Sequence, residues 1–168
     1  FYDIVLSLII IISTSPIFLL IILSLKIFDK GSIFFYQERR GENGKIFNMI
    51  KFRTMYEDSN TKNFQAAQKN DKRITKIGRF LRKYSLDELP QFFNVLKGEM
   101  SIVGPRPHAK EQDNKFRKLI PGYMQRYSLK PGITGLAQIK GLRGGENVEL
   151  FKERIKEDLK YQKEWNLL

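Results

Sequence analysis

The stretch Ile4 to Leu25 carries no charged side chain and is built almost entirely of Ile, Leu, Phe and Val. At ~1.5 Å per residue it makes a helix of roughly 33 Å, long enough to cross a bilayer core. A signal peptide fits poorly, because no basic segment precedes the run and no small-residue cleavage site follows it. Its middle reads Ser13-Thr14-Ser15-Pro16. Pro16 lacks a backbone donor and crowds the preceding turn, so a kink or break is expected there, with the neighbouring hydroxyls serving the freed carbonyls. Two geometries follow: a kinked spanning helix, or a re-entrant helix–break–helix that returns to the same face. The residues alone favour the span. Lys26, Lys30, Arg39 and Arg40 come next, which assigns the C-terminal side to the cytoplasm. Residues 1–30 are thus read as a membrane-embedded unit and 31–168 as one cytoplasmic domain.

Size and charge narrow the function. The 168 residues suffice for one ordinary domain with a core. Absence of cysteine excludes disulfides, thiolate metal sites and a cysteine nucleophile. Thirty Lys and Arg against 18 Asp and Glu leave a net charge of +12, which draws phosphate-rich partners: nucleic acid, an anionic membrane face or nucleotide-linked substrates. The first residue is Phe, which reads as a piece of a longer protein.

The domain reads as α+β, with amphipathic helices and a few short strands. Ser32–Gln37 and Lys45–Arg53 are β-branched and aromatic, and Gly41 to Gly44 between them predicts a hairpin or strand–loop–strand. Tyr56–Asn70 is polar and reads as a loop. From Ile74, the positions Ile74, Ile77, Leu81 and Tyr84 recur at helical spacing, flanked by Phe80. With Arg73, Lys76, Arg79, Arg82 and Lys83 they predict a basic amphipathic helix of about three turns. It is either a solvated face or a surface for anionic headgroups or a diphosphate. Ser85 with Glu88 forms a capping-box pattern opening a helix that stops at Gly98. Met100–Val103 predicts a strand, 108–118 a helix, Lys130–Gly135 a loop, Leu136–Lys140 a strand, Gly141–Gly145 a hinge, and Asn147–Trp165 a charged amphipathic helix.

The chemistry concentrates at Asp87-Glu88, an acidic pair set among cations. Helix capping alone would account for both residues. Surrounding arginines should depress both pKa values and keep both groups ionised. Such a pair suits Mg²⁺ sharing ligands with substrate phosphates, or a carboxylate nucleophile at phosphorus. The residues therefore point to metal-assisted phosphoryl chemistry at a membrane surface. His108, the single histidine, excludes multi-histidine metal sites and reads as a surface residue. No dinucleotide or Walker-type loop is present. The rival reading is a membrane-anchored basic module for anionic lipid or nucleic acid, indifferent to Asp87.

Several segments in register resemble one family. They are Asp3 to Ser7 entering the apolar run with Ser15-Pro16, Phe34 to Gly41, Lys51-Phe52-Arg53-Thr54-Met55, and Ser85 to Gln91 with Asn94-Val95-Leu96. Gly98 to Pro107 and Lys130 to Gly135 continue in the same order. The chain resembles the bacterial sugar transferase domain of monotopic phosphoglycosyl transferases over nearly its whole length. The resemblance implies transfer of a sugar-1-phosphate from a UDP-sugar to polyprenyl (undecaprenyl) phosphate, with release of UMP, at the bacterial inner membrane. It implies Asp87 as nucleophile of a phosphosugar–enzyme intermediate and Glu88, with Asp87, as the Mg²⁺ site. Arg106 would contact phosphate, with Lys51, Arg53 and Arg79 as weaker candidates. Ser15 and Pro16 match the break of a re-entrant helix, which reverses the preference for a span. Membrane lipids are implied partners, nucleic acid is not, and a homodimer stays open. Neither Lys130–Gly135 nor the 141–147 loop carries a feature that selects the sugar.

Overall fold

The computed structural model of the chain describes residues 1–57, 68, 71–142 and 147–164. The expected loop over Tyr56–Asn70 and the hinge at Gly141–Gly145 lie largely outside the described residues. The described part is a mixed helix and strand fold.

Helix α1 (Tyr2–Ser24) takes in nearly the whole apolar stretch and passes into a π-helical turn, Leu25–Asp29. It is long and apolar enough to cross a membrane, by length and composition. Helical structure does not lapse at Ser15–Pro16, so the expected break is absent as a gap between two helices. The hydroxyls explain how the helix carries through. Pro16 has no N–H to offer the Ile12 carbonyl, and Ser15 Oγ donates to that carbonyl at 2.8 Å. Ser13 and Thr14 donate to the Ile10 carbonyl in the same way. Asp3, Ser7, Ile10, Thr14, Phe18, Ile21 and Leu25 are among the shielded positions, with Ile11, Ile22 and Ser24 flanking them. They recur every three or four residues, which is one helical stripe, and α1 packs on α3 (Gln91–Leu96).

Strands β1 (Phe34–Arg40) and β2 (Ile46–Phe52) form the expected antiparallel hairpin, with Phe34 opposite Phe52 and Arg40 opposite Ile46. Asn43 and Gly44 turn the chain at positive φ. The second edge of β2 is closed by one side chain. Asn94 Oδ1 accepts from the Ile50 N–H at 3.0 Å, and its Nδ2 donates to the Asn48 carbonyl at 2.8 Å. A buried amide thereby substitutes for a third strand and ties β2 to α3. Phe18, Ile21 and Leu25 of α1 and the turn after it share a core with Phe52 and Leu81, while Phe47, Met49, Val95 and Met100 form a second cluster.

Helix α2 (Lys76–Lys83) is nearer two turns than the expected three. Ser85 is not a helix cap: it sits in the left-handed region at φ +56 without a capping bond. A 3₁₀ turn, Leu86–Glu88, follows, and α3 begins only after Pro90. The capping-box reading fails because the Glu88 side chain is engaged elsewhere. The stop at Gly98 is as expected, at φ +76.

Strand β3 (Ser101–Val103) pairs in parallel with β4 (Gly132–Thr134), which replaces the loop expected at Lys130–Gly135. Leu136–Lys140, expected as a strand, contains helix α5 (Leu136–Ile139). A short apolar run does not separate the two periods, and Leu, Ala and Gln are good helix formers. Two glycines make the β3–β4 approach possible. A Cβ on Gly132 would fall onto the Gly104 backbone, and one on Gly104 onto the Lys130 carbonyl. Helices α4 (Lys110–Leu119) and α6 (Val148–Glu164) match expectation. They enclose the third cluster, Phe116, Ile120, Tyr123, Tyr127, Phe151 and Ile155.

Gly78 tests how tightly α2 is seated. Alanine in a helix interior is normally about 1 kcal/mol better than glycine. At Gly78 an added Cβ would overlap the Thr54 carbonyl. The substitution Gly78→Ala is therefore expected to destabilise by about 2 kcal/mol, as overpacking does, read as a lower Tm in thermal denaturation.

Candidate active site

The site is assembled from three segments. Lys51 lies near the end of β2, Asp87 and Glu88 lie in the 3₁₀ turn after α2, and Arg106 lies in the turn after β3. Successive residues of a 3₁₀ turn are rotated by about 120°. Two adjacent carboxylates can therefore meet different surroundings.

Glu88 meets two cations. Lys51 Nζ donates to Glu88 Oε1 at 2.8 Å. Arg106 donates to the same oxygen at 2.5 Å and to Oε2 at 3.2 Å. Burial alone would raise the Glu88 pKa, but Lys51 and Arg106 outweigh it and hold the carboxyl well below the usual range. Burial lowers Lys51, against the pull of Glu88.

Asp87 is 7% exposed. The hydrogen bonds of Lys51 and Arg106 go to Glu88 and not to Asp87. Burial raises its pKa; Lys51 and Arg82 pull downward, Glu88 pushes upward, and the net shift is up. The expectation that both carboxyls are depressed thus holds for Glu88 and fails for Asp87. Counting nearby cations neglects which carboxylate they bond and which one is merely desolvated.

Arg106 is held by its backbone. Pro105 and Pro107 offer no donors, so this turn is mainly a row of acceptors. The Pro105 carbonyl accepts from Gly132 N–H at 3.0 Å. The Arg106 carbonyl accepts from Arg126 Nη2 at 2.6 Å, and the Pro107 carbonyl from Arg39 Nη1 at 3.3 Å. The Arg106 side chain stays 36% exposed, within reach of a solute. Burial, with Arg106 nearby, draws Arg39 down to about 10.

Of the other sequence candidates, Arg53 turns away, donating to the carbonyls of Asp29 and Lys30 and pairing with Glu57. It closes the end of the apolar helical segment. Arg79 is exposed on α2, and Arg82 is the α2 cation whose charge reaches Asp87. Ser15 and Pro16 lie exposed in α1. His108 is buried, not a surface residue. Its Nδ1 lies 2.7 Å from the Tyr123 hydroxyl and 2.6 Å from Arg126 Nη1. Burial and Arg126 push its pKa well down, so it is the neutral acceptor of this cluster. Asn94, Arg126 and Asp158 escaped sequence reading; only Asn94 carried a signal, as part of the Asn-Val-Leu segment. Among the described residues no group of three or more His, Asp or Glu could hold a metal ion by itself.

The family model described as bacterial sugar transferase matches residues 1–168. A UDP-glucose:undecaprenyl-phosphate glucose-1-phosphate transferase of Klebsiella pneumoniae is 51% identical over 98% of the chain and 36% of its own length. A transferase of the same description from Xanthomonas campestris pv. campestris is 50% identical over 98% of the chain and 34% of its own length. A UDP-N-acetylgalactosamine-undecaprenyl-phosphate N-acetylgalactosaminephosphotransferase of Aeromonas hydrophila is 43% identical over 74% of the chain and 30% of its own length. The chain spans about a third of the length of these curated relatives.

The two carboxylates should respond oppositely to neutralisation. Glu88→Gln leaves Lys51 and Arg106 without their counter-charge and is expected to cost roughly 2–3 kcal/mol. Asp87 carries a raised native pKa, so the native state holds its proton more tightly than the unfolded chain. Its ionisation therefore subtracts stability as pH rises through that window. Asp87→Asn removes this penalty and should leave the Tm at pH 7 unchanged or higher. An Asn variant as unstable as Glu88→Gln would contradict the assignment of burial states.

Proposed function

The chain belongs to the bacterial sugar transferase family, and we propose that it transfers a hexose-1-phosphate from a UDP-sugar to undecaprenyl phosphate. Asp87 is the nucleophile. One carboxylate oxygen attacks the sugar-bearing phosphorus and forms an Asp–O–P bond, while the bridging P–O bond breaks and UMP leaves. An oxygen of undecaprenyl phosphate then attacks the same phosphorus, forming the diphosphate and releasing the carboxylate. No net proton transfer is needed.

The single observation that carries this reading is the division between the two carboxylates. Glu88 is neutralised twice over and poorly suited to attack. Asp87 is desolvated, with its pKa raised and the hydrogen bonds of Lys51 and Arg106 spent on its neighbour. An under-solvated carboxylate, once ionised, is the more basic and more nucleophilic of the two. Arg106, whose side chain is 36% exposed, and Lys51 supply positive charge for the diphosphate. UDP-glucose is the first donor to test, since relatives at about half identity are named for it.

Mg²⁺ is the proposed cofactor, and the residues fit it only in company with substrate. Glu88 Oε1 already serves Lys51 and Arg106, and Oε2 accepts a longer bond from Arg106, so the Asp87 carboxylate and the remaining lone pair of Glu88 Oε2 would be the protein's ligands. A magnesium ion accepts such a pair when phosphate oxygens and water complete its shell. When bound it would offset charge on the leaving phosphate.

The membrane segment is proposed to be re-entrant, on the cytoplasmic face of the inner membrane. Both of its ends are tied to the same domain. Asp3 accepts from the Ser101 hydroxyl at 2.8 Å and the Ile102 N–H at 3.2 Å. Asp29 accepts from the Thr75 hydroxyl at 2.6 Å, and Thr75 in turn caps α2. A charged group tied to β3 and a second tied to α2 both belong outside hydrocarbon. Phe80 on α2 and Tyr84 at its C-terminal cap, each 56% exposed, stand beside basic side chains, on a helix whose Leu81 packs in one cluster with Leu25. That composition suits lipid headgroups.

Incubation of the protein with Mg²⁺ and UDP-glucose alone should place a phosphohexose on Asp87, seen by intact-mass and peptide spectrometry, with one UMP per site. Release of UMP without such an adduct, at the normal rate in Asp87→Asn, would remove the covalent role. Topology has a clean probe, because the chain has no cysteine. Tyr2→Cys and Lys30→Cys should both react with an impermeant maleimide from the cytoplasmic side. Opposite-side labelling of the Tyr2→Cys variant would mean a span.

A further inference from the structure

Beyond Arg106 lies a buried ionic cluster that the chemistry above does not use. Arg126 is 2% exposed and Asp158, on α6, is 4% exposed; their side chains meet at 2.8 Å. Nη2 of Arg126 serves Asp158 and the Arg106 carbonyl, while Nη1 faces His108 Nδ1 at 2.6 Å and the Tyr123 hydroxyl at 3.3 Å. The guanidinium also lies against the Tyr123 ring, 5.4 Å from its centroid. One rigid fork therefore addresses acceptors in three separate segments.

A buried ion pair is a weak device for stability, because desolvation cancels most of the attraction. What a saturated guanidinium supplies is direction, since its donors leave in a fixed plane. Here one of them ends on the carbonyl of the residue whose side chain reaches Glu88. Pro107 restricts Arg106 to extended backbone, so holding its carbonyl fixes where its Cα–Cβ bond points.

We propose that Arg126 is a positioning residue: with Asp158 as its buried counter-ion it anchors the Arg106 carbonyl and so aims the Arg106 guanidinium at the phosphate site. Helix α6, remote in sequence, is thereby coupled to catalysis. This rests on the reading of Arg106 as a phosphate contact. Lysine at position 126 keeps the charge opposite Asp158 but sends its donors from a single nitrogen on a flexible stem, without the planar fork that spans Nη1 and Nη2.

The test is a double-mutant cycle on the full chain in detergent, reading kcat and KM for UDP-glucose. Arg126→Lys should lower kcat/KM at least tenfold and move the same parameter as Arg106→Ala. Added to Arg106→Ala, it should cost less than a further twofold. Arg126→Lys within twofold of wild type, or effects that multiply, would overturn the positioning role. If Arg126→Lys loses its folded circular dichroism signal, Asp158→Asn takes its place in the cycle with the same expectations and the same grounds for rejection. Arg106→Ala with wild-type kinetics would instead remove the phosphate reading, and this proposal with it. Multiplying effects on an impaired Arg106→Ala remove the positioning role alone.

Discussion

Glu88 is the charge at which the fold closes. Lys51 from the hairpin is largely buried and Arg106 from the turn after β3 is partly exposed, and both direct their charge at one shared anion. Their meeting at one carboxylate joins segments far apart in sequence. It also leaves the adjacent carboxylate without a hydrogen bond from either cation. Asp87 is desolvated by burial while its neighbour takes the hydrogen bonds of Lys51 and Arg106, so the two carboxylates meet opposite surroundings across one peptide bond.

The surrounding devices keep that arrangement rigid. Asn94 closes the edge of β2 that carries Lys51. Gly104 and Gly132 let two backbones approach where any side chain would part them. The Pro105–Pro107 turn is a set of acceptors, and the donors that fill it come from β4, Arg126 and Arg39. At the other end, Asp3 and Asp29 link the two ends of the apolar segment to β3 and α2, which lead directly to Arg106 and to Asp87. The seating of the apolar helix and the shape of the site therefore share the same strands and turns.

Much of this was legible from local pattern. The hairpin, the stop at Gly98, β3, α4 and α6 follow from alternation, helical spacing and glycine placement. Lys51 and Arg106 enter the site through the family resemblance alone, and their meeting at Glu88 is a tertiary contact that only the structure shows. Failures occurred where tertiary contacts overrule local preference. Ser85 matches a capping pattern, yet Glu88 is drawn away by Lys51 and Arg106. Gly132 reads as loop until Gly104 lies beside it, and Leu136–Lys140 is too short to show a period. The upward shift of Asp87 and the burial of His108 depend on which groups exclude water, and a linear chain does not carry that information.

Titration of the two carboxyl carbons, by ¹³C NMR on protein labelled at Asp and Glu and assigned with Asp87→Asn and Glu88→Gln, is the most direct measurement. Asp87 should titrate above the ordinary aspartate value, near 3.9, while Glu88 stays ionised down to the acid limit of folding. Both carboxyls titrating together below that value would contradict the division of roles on which the site is built.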